Sequence, residues 1–156
     1  MTVDVLERTD VYIVAVWRRL MLLIWRGRTC AAGIERSQAL FREWAEQQPG
    51  GAALFVVVPR QPPGPPDEAT RAAMARAMAN PSPALRGLAT FLEAQGFIAA
   101  AVFAMVSRIH QKHAGGMAPR IFRHVDEGAS WAAELLGDPE ITGASLAAAL
   151  REARGK

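Results

Sequence analysis

Several features that define common functional classes are absent from this chain of 156 residues. It has one cysteine, Cys30, so it can form neither an intrachain disulfide nor a cysteine-based zinc cluster, and a reducing compartment is expected. The longest apolar run, residues 97–106, is about half of a membrane span. The first residues lack the apolar core of a signal peptide. These absences predict a cytoplasmic protein with no membrane span.

A strong charge of one sign is also absent. The chain has 18 Lys and Arg against 15 Asp and Glu, a net charge of +3. Its densest basic segment, four arginines between residues 18 and 28, is interrupted by the apolar run 20–25. Nucleic-acid binding needs a continuous basic groove or stripe, so no nucleic-acid partner is expected.

The motifs of nucleophilic and nucleotide-dependent enzymes are missing. No serine lies in a Gly-x-Ser-x-Gly setting, and neither Gly-x-Gly-x-x-Gly nor a phosphate-loop lysine occurs. Cys30 lies near a predicted helix start, but no histidine is close in sequence, so we interpret it as a small buried residue. Asp126 and Glu127 are explained by the entrance of a helix. The sequence predicts no catalytic residue and no cofactor.

The histidines give the nearest approach to a metal site. His110 and His113 lie three residues apart and share a face if that segment is helical, and His124 offers a third nitrogen. No carboxylate lies nearby at ligand spacing, and Lys112 repels a cation. We therefore predict a solvated turn and no metal site, with a small metal-dependent enzyme using His110 and His113 kept as an alternative hypothesis.

Hydrophobic patterning and Pro and Gly breakers divide the chain into strands and helices. Apolar runs predict strands at 11–17, 20–25, 53–58, 97–106 and around 121–122, although three alanines leave a helical alternative open for 97–106. Amphipathic patterns predict helices at 29–48, at 66–80, from 85 to an end at Gly96, and at 107–113, 126–136 and 142–154. The resulting order is β-β-α-β-α-α-β-(α)-β-α-α.

This order predicts an α/β fold. One antiparallel pair is followed by strands joined through helices, and such crossovers require a partly parallel sheet. We expect a single-domain sandwich over 1–156 with a mixed sheet of about five strands, helices packed on it, and flexible ends at 1–9 and 152–156.

Two segments carry a family resemblance. One is the strand exit Trp25-Arg26-Gly27-Arg28-Thr29, and the other is the helix entry Phe122-Arg123-His124-Val125-Asp126-Glu127-Gly128-Ala129-Ser130-Trp131. Together with the element order, these segments resemble the SpoIIAA-like branch of the STAS superfamily over residues 10–137. The resemblance implies a bacterial cytoplasmic module that binds protein partners or small apolar or anionic ligands without catalysis of its own.

One departure concerns regulation. Anti-sigma-factor antagonists of this superfamily carry a phosphorylatable serine in an Asp-Ser-Xaa-Gly setting, whereas this chain has Pro66-Asp67-Glu68-Ala69-Thr70. The phospho-switch is therefore not expected here, and Thr70 in the first helical turns is a poor substitute.

The loop after the central strand is the predicted interaction site, because open α/β sheets bind ligands at the carboxyl ends of their strands. Its candidate residues are Pro59, Arg60, Pro62, Pro63, Pro65 and Pro66. The following helix is rich in alanine and adds Met74 and Met78, so it offers more apolar surface than one sheet covers. We predict a protein partner or a homodimer at this surface, while a rigid connector and ordinary core packing remain alternatives.

The leading hypothesis is a regulatory or protein-interaction module. The alternative from another class is a carrier of a small apolar molecule or lipid, in which Trp17, Trp25, Phe97 and Phe103 line the cavity.

Overall fold

A computed structural model describes residues 2–60, 64–93, 96–113 and 119–155, with only part of the side chains described between 98 and 113. The strands are β1 (Asp4–Arg8), β2 (Tyr12–Trp17), β3 (Leu20–Trp25), β4 (Ala52–Val58), β5 (Leu85–Leu92) and β6 (Arg120–Phe122). The helices are α1 (Ala31–Ala45), α2 (Glu68–Ala79), α3 (Gly96–His113), α4 (Val125–Leu136) and α5 (Gly143–Gly155).

The strands form one mixed sheet in the order β1-β2-β3-β4-β5-β6. The first three strands pair antiparallel, and β3 through β6 pair parallel. The predicted α/β class with a mixed sheet is confirmed. The sheet has one strand more than expected because β1 forms within the segment 1–9, and α5 likewise continues through most of 152–156.

The sheet is covered by helices on both faces. Val14, Leu23 and Leu54 pack with α1 and α2, whereas their sequence neighbours Leu22 and Phe55 pack with α4 and α5. Successive strand residues point to opposite faces. The apolar runs of β2 and β3 are therefore continuous, since every residue of both strands is buried.

The prediction of a helix from residue 85 was wrong, because Leu85–Leu92 is the strand β5. Leu85, Leu88 and Leu92 have helical spacing, but the segment pairs along its whole length with β4. Backbone pairing beside a buried strand outweighs a spacing preference. Gly87 is part of this fit, since a Cβ there would lie 2.7 Å from the Trp131 ring.

The strand predicted at 97–106 was also wrong, because α3 spans 96–113 and includes the short helix expected at 107–113. The alanines at 99–101 favour a helix. Gly96, whose φ is +68°, turns the chain into it.

The hairpin between β2 and β3 has Arg18-Arg19 as its loop, where glycine or asparagine is usual. Arg18 has a φ of +55°. Its guanidinium donates a hydrogen bond to Asp138 at 3.0 Å, forms an ion pair with Glu140, and lies 5.6 Å from the centre of the Trp17 ring. These contacts offset the strain of a left-handed arginine.

Candidate functional site

The structure contains an apolar cavity between the sheet and helices α1 and α2. Its volume is about 110 Å³. The sheet contributes Leu23, Trp25, Leu54, Val56, Val58, Leu88 and Thr90, and the helices and the loop before α1 contribute Thr29, Ile34, Ser37, Gln38, Met74, Ala77 and Met78.

The floor of the cavity is built by alternate residues of three parallel strands. Leu23 pairs with Val56, and Val56 pairs with Thr90. Trp25 and Val58 are the last residues of β3 and β4, so the cavity reaches the carboxyl edge of the sheet. Open α/β sheets bind their ligands at this edge.

The roof is the stripe of α2 that faces the sheet. Met74, Ala77 and Met78 share this stripe because residues three and four apart lie on one side of a helix. All three are half-buried. Ala77 leaves space that a larger residue would fill, and the unbranched methionines adapt their shape to an occupant.

Few polar groups face this space. The Ser37 hydroxyl is buried and donates a hydrogen bond of 2.9 Å to the Ile34 carbonyl. Thr90 is buried, while Gln38 and Thr29 lie nearer the surface. No charged side chain lines the described cavity. An apolar group therefore fits here better than an ion.

One end of the cavity is fixed by Trp25. Tyr12 packs edge-on against the Trp25 ring with centroids 5.6 Å apart. Helix α1 approaches both rings at Gly33, where a Cβ would lie 2.7 Å from Trp25 and 3.0 Å from Tyr12. Burial, together with the carboxylate of Glu7, raises the pKa of Tyr12 to about 12.

The proline-rich loop ends beside this site. Arg28 donates a hydrogen bond to the Pro65 carbonyl at 3.2 Å, and Arg71 donates to that of Pro66 at 3.0 Å. Asp67 is the N-cap of α2 and accepts a 2.8 Å hydrogen bond from the Thr70 backbone N–H. Hydrogen bonding from Thr70 lowers the pKa of Asp67.

The predicted loop residues differ in exposure. Arg60 and Pro65 are exposed, Pro59 is half-buried and Pro66 is buried, whereas Pro62 and Pro63 lie outside the described residues.

Thr70 is fully buried. In the folded chain its hydroxyl is not accessible to a kinase.

The structure separates the residues of the predicted apolar pocket. Trp25 lines the cavity with Met74 and Met78, but Trp17 packs on the opposite face of the sheet. Phe97 is 88% exposed and Phe103 is 41% exposed. The sequence pointed to large aromatic residues, whereas the cavity is lined mainly by aliphatic residues at alternate sheet positions.

A second, more polar groove of about 260 Å³ lies between α1 and α2. It contains Arg42 and the ion pair between Arg76 and Glu35, whose closest atoms are 2.8 Å apart. Ile34, Gln38 and Ala77 line both spaces and so lie between them.

The remaining candidates for chemistry are dispersed. Cys30 is the N-cap of α1, makes no side-chain capping bond and packs against the core. His124 is exposed at the N-cap position of α4 and makes no side-chain capping bond, and Asp126 lies in the first turn. The side chains of His110 and His113 lie outside the described residues. Among the residues described, no group of three His, Cys, Asp or Glu is placed to hold a metal ion.

In the described ranges, no helix has the length and apolar character needed to cross a membrane. Fold and cavity together define an α/β protein with a six-stranded mixed sheet and an apolar space beneath one crossover helix. Comparison of the chain with protein-family models, curated proteins and solved structures gave no match.

Proposed function

We propose that this chain is a non-enzymatic, cytoplasmic regulatory module of STAS-like type that binds one small apolar ligand under α2. The observation that carries the proposal is the cavity of about 110 Å³ at the carboxyl edge of the sheet. Its lining offers an apolar surface with a few hydroxyl and amide groups, which is the usual composition of a ligand site.

The size of the cavity limits the occupant. Apolar cavities of about 150 Å³ bind a benzene molecule. This space of about 110 Å³ is smaller but opens at its edge, so it suits a single ring or a short branched or linear acyl chain that reaches the opening. A polar end of such a ligand would lie toward Thr29, which lines the cavity just beyond the end of β3.

The element order on which the STAS-like resemblance was based differs at residues 85–113, and the proposal keeps from it the α/β alternation. From β3 onward, each strand is followed by a helix and then by the next parallel strand. The described residues offer no metal cluster. A binding role rests on fewer assumptions than a catalytic one.

Cavity-filling variants test the proposal. Ala77→Leu fills the space, and Ala72→Leu makes the same change on the exposed side of α2. Native mass spectrometry of freshly purified protein and NMR titration with benzene, indole and hexanoate measure binding. We expect the wild type and Ala72→Leu to bind at least one probe and Ala77→Leu to bind it about tenfold more weakly.

Met74→Ala enlarges the same space and should shift the preference toward the larger ring. The proposal is wrong if no probe binds, or if Ala77→Leu retains its fold and binds as tightly as Ala72→Leu.

A protein partner is the second candidate, favoured by the exposure of Arg60 and Pro65 beside the N-terminus of α2. The exposed side of that helix includes Ala69 and Ala72, which a partner or a second copy would cover. Light scattering and crosslinking of wild type and Ala72→Arg test this surface. The partner hypothesis is contradicted if the wild type is a strict monomer and Ala72→Arg loses no partner.

A further inference from the structure

Helix α3 presents an apolar face to solvent. The exposed side chains Phe97, Ala101 and Ala104 follow one another at helical spacing, while Ala99 on the other side is 1% exposed. Phe97 is 88% exposed, the most exposed large apolar side chain among the described residues. A single exposed phenylalanine is common on protein surfaces, but this one begins an apolar helix face.

The same segment contains no negative charge. Residues 94–125 include no Asp or Glu, although they include Arg108, Lys112, Arg120, Arg123 and all three histidines of the chain. Arg108 is exposed on the same side of α3 as Phe97. Arg123 lies 5.6 Å from the centre of the Phe103 ring, so a cation flanks the apolar face. The nearest acid before this stretch, Glu93, is paired with Arg154 at 2.6 Å.

The combination of exposed apolar side chains and cations indicates which kind of partner binds this face of α3. A second copy meeting on this face would bring the arginines of both copies together, which is unfavourable. A helical peptide needs a groove, and neither of the two cavities described above includes an α3 residue. An exposed apolar helix face that includes and adjoins basic residues fits a helix that lies in a membrane interface.

We propose that α3 docks on an anionic lipid surface. Phe97 and the alanines of the first turns enter the acyl boundary, and Arg108 and Arg123 contact the headgroups. One aromatic anchor and a few cations give reversible binding that weakens with salt. This surface is independent of the cavity under α2, so failure of either proposal leaves the other intact.

Vesicle flotation with the full chain tests the inference. The probes are phosphatidylcholine vesicles and vesicles that also contain phosphatidylglycerol. We expect binding to the anionic vesicles only, lost at high salt, and reduced about tenfold by Phe97→Ser. Tryptophan fluorescence and thermal melting confirm that each variant is folded.

Two matched controls distinguish binding through this face from non-specific hydrophobic binding and from an effect of net charge. Leu6→Ser removes an apolar side chain that is 40% exposed on β1, and Arg151→Glu reverses an exposed charge on α5. Neither should change vesicle binding, whereas Arg108→Glu should weaken it severalfold.

Three outcomes overturn the proposal. The first is no flotation with anionic vesicles, and the second is equal binding to neutral ones. The third is a dimer that Phe97→Ser converts to a monomer without any lipid effect, which would make the face a self-association surface.

Discussion

The Tyr12 hydroxyl donates a hydrogen bond of 2.5 Å to Oε1 of Glu7, whose other oxygen accepts a 2.7 Å bond from Nε of Arg36. The three residues belong to β2, β1 and α1 respectively. This short network holds the edge strand and the first helix on Tyr12. It also fixes the ring that supports Trp25 at the end of the cavity.

Titration of the only tyrosine in the chain measures this contact directly. Burial and the Glu7 carboxylate raise the pKa of Tyr12 to about 12. In a titration followed by the ultraviolet absorbance of tyrosinate, the midpoint of the folded protein should therefore lie about two pH units above that of the denatured chain. Glu7→Gln should lower this midpoint, and Glu43→Gln is a control on the exposed side of α1. A native midpoint near that of the denatured chain would contradict the geometry.

The same shift makes stability depend on alkaline pH. The folded pKa of Tyr12 is raised, so its contribution to stability is complete below the ordinary value of 10.0 and is lost as the pH rises toward 12. Urea unfolding across this alkaline range should therefore show a smaller pH-dependent loss in Tyr12→Phe than in the wild type.

Gly33→Ala should destabilise the protein although alanine is the better helix former. The new Cβ would lie 2.7 Å from Trp25, and overpacking of this kind costs about 1–3 kcal/mol. Gly27→Ala is the control because a Cβ added there would meet no atom within 4 Å. Urea unfolding compares the two variants. Equal stability of both would mean that α1 can move away from Trp25 without cost.

At the β2–β3 hairpin, Arg18→Gly should be less destabilising than Arg18→Ala. Both variants lose the ion pairs with Asp138 and Glu140, but glycine adopts the φ of +55° without the strain of a Cβ. We expect a difference of about 1 kcal/mol in the free energy of unfolding. The reverse order, measured by urea unfolding, would show that the hairpin relaxes when the arginine is removed.

Asp67→Ala should lower the melting temperature by removing the N-cap of α2. Its pKa is lowered by hydrogen bonding to Thr70, so the stabilisation is present above the ordinary value of 3.8 and is lost as the pH falls below it. The melting temperatures of wild type and variant should converge in acid. Asp10→Ala, at an exposed position before β2, controls for removal of a carboxylate.

The sequence predicted the central part of the fold well. The apolar runs of β2 and β3 are separated by Arg18-Arg19, the run of β4 lies between glycine and proline breakers, and the proline-rich loop precedes the start of α2. In these strands the residues that the sequence pattern places in the interior are buried in the fold, so local and tertiary preferences coincide.

The errors lie where these preferences conflict. Residues 85–92 have leucines at helical spacing but pair with β4, and residues 97–106 form an apolar run but continue as a helix to 113. Phe97 and Phe103 therefore lie on the surface of α3 and not in a strand.

The candidate site was partly predictable. Met74 and Met78 were predicted at a partner surface and Trp25 in a separate apolar pocket, whereas the structure places all three at one cavity. Leu88 and Thr90 could not be included, because their segment was assigned to a helix and only the register with β4 places them beside Val56.

The space beneath α2 also contributes to the volume change on unfolding. Its volume of about 110 Å³ disappears on unfolding, so hydrostatic pressure favours the unfolded chain by a volume change on the order of tens of mL/mol. A ligand that fills the space removes this contribution to the volume change of unfolding. Pressure therefore distinguishes the empty protein from the filled one without any knowledge of what the ligand is.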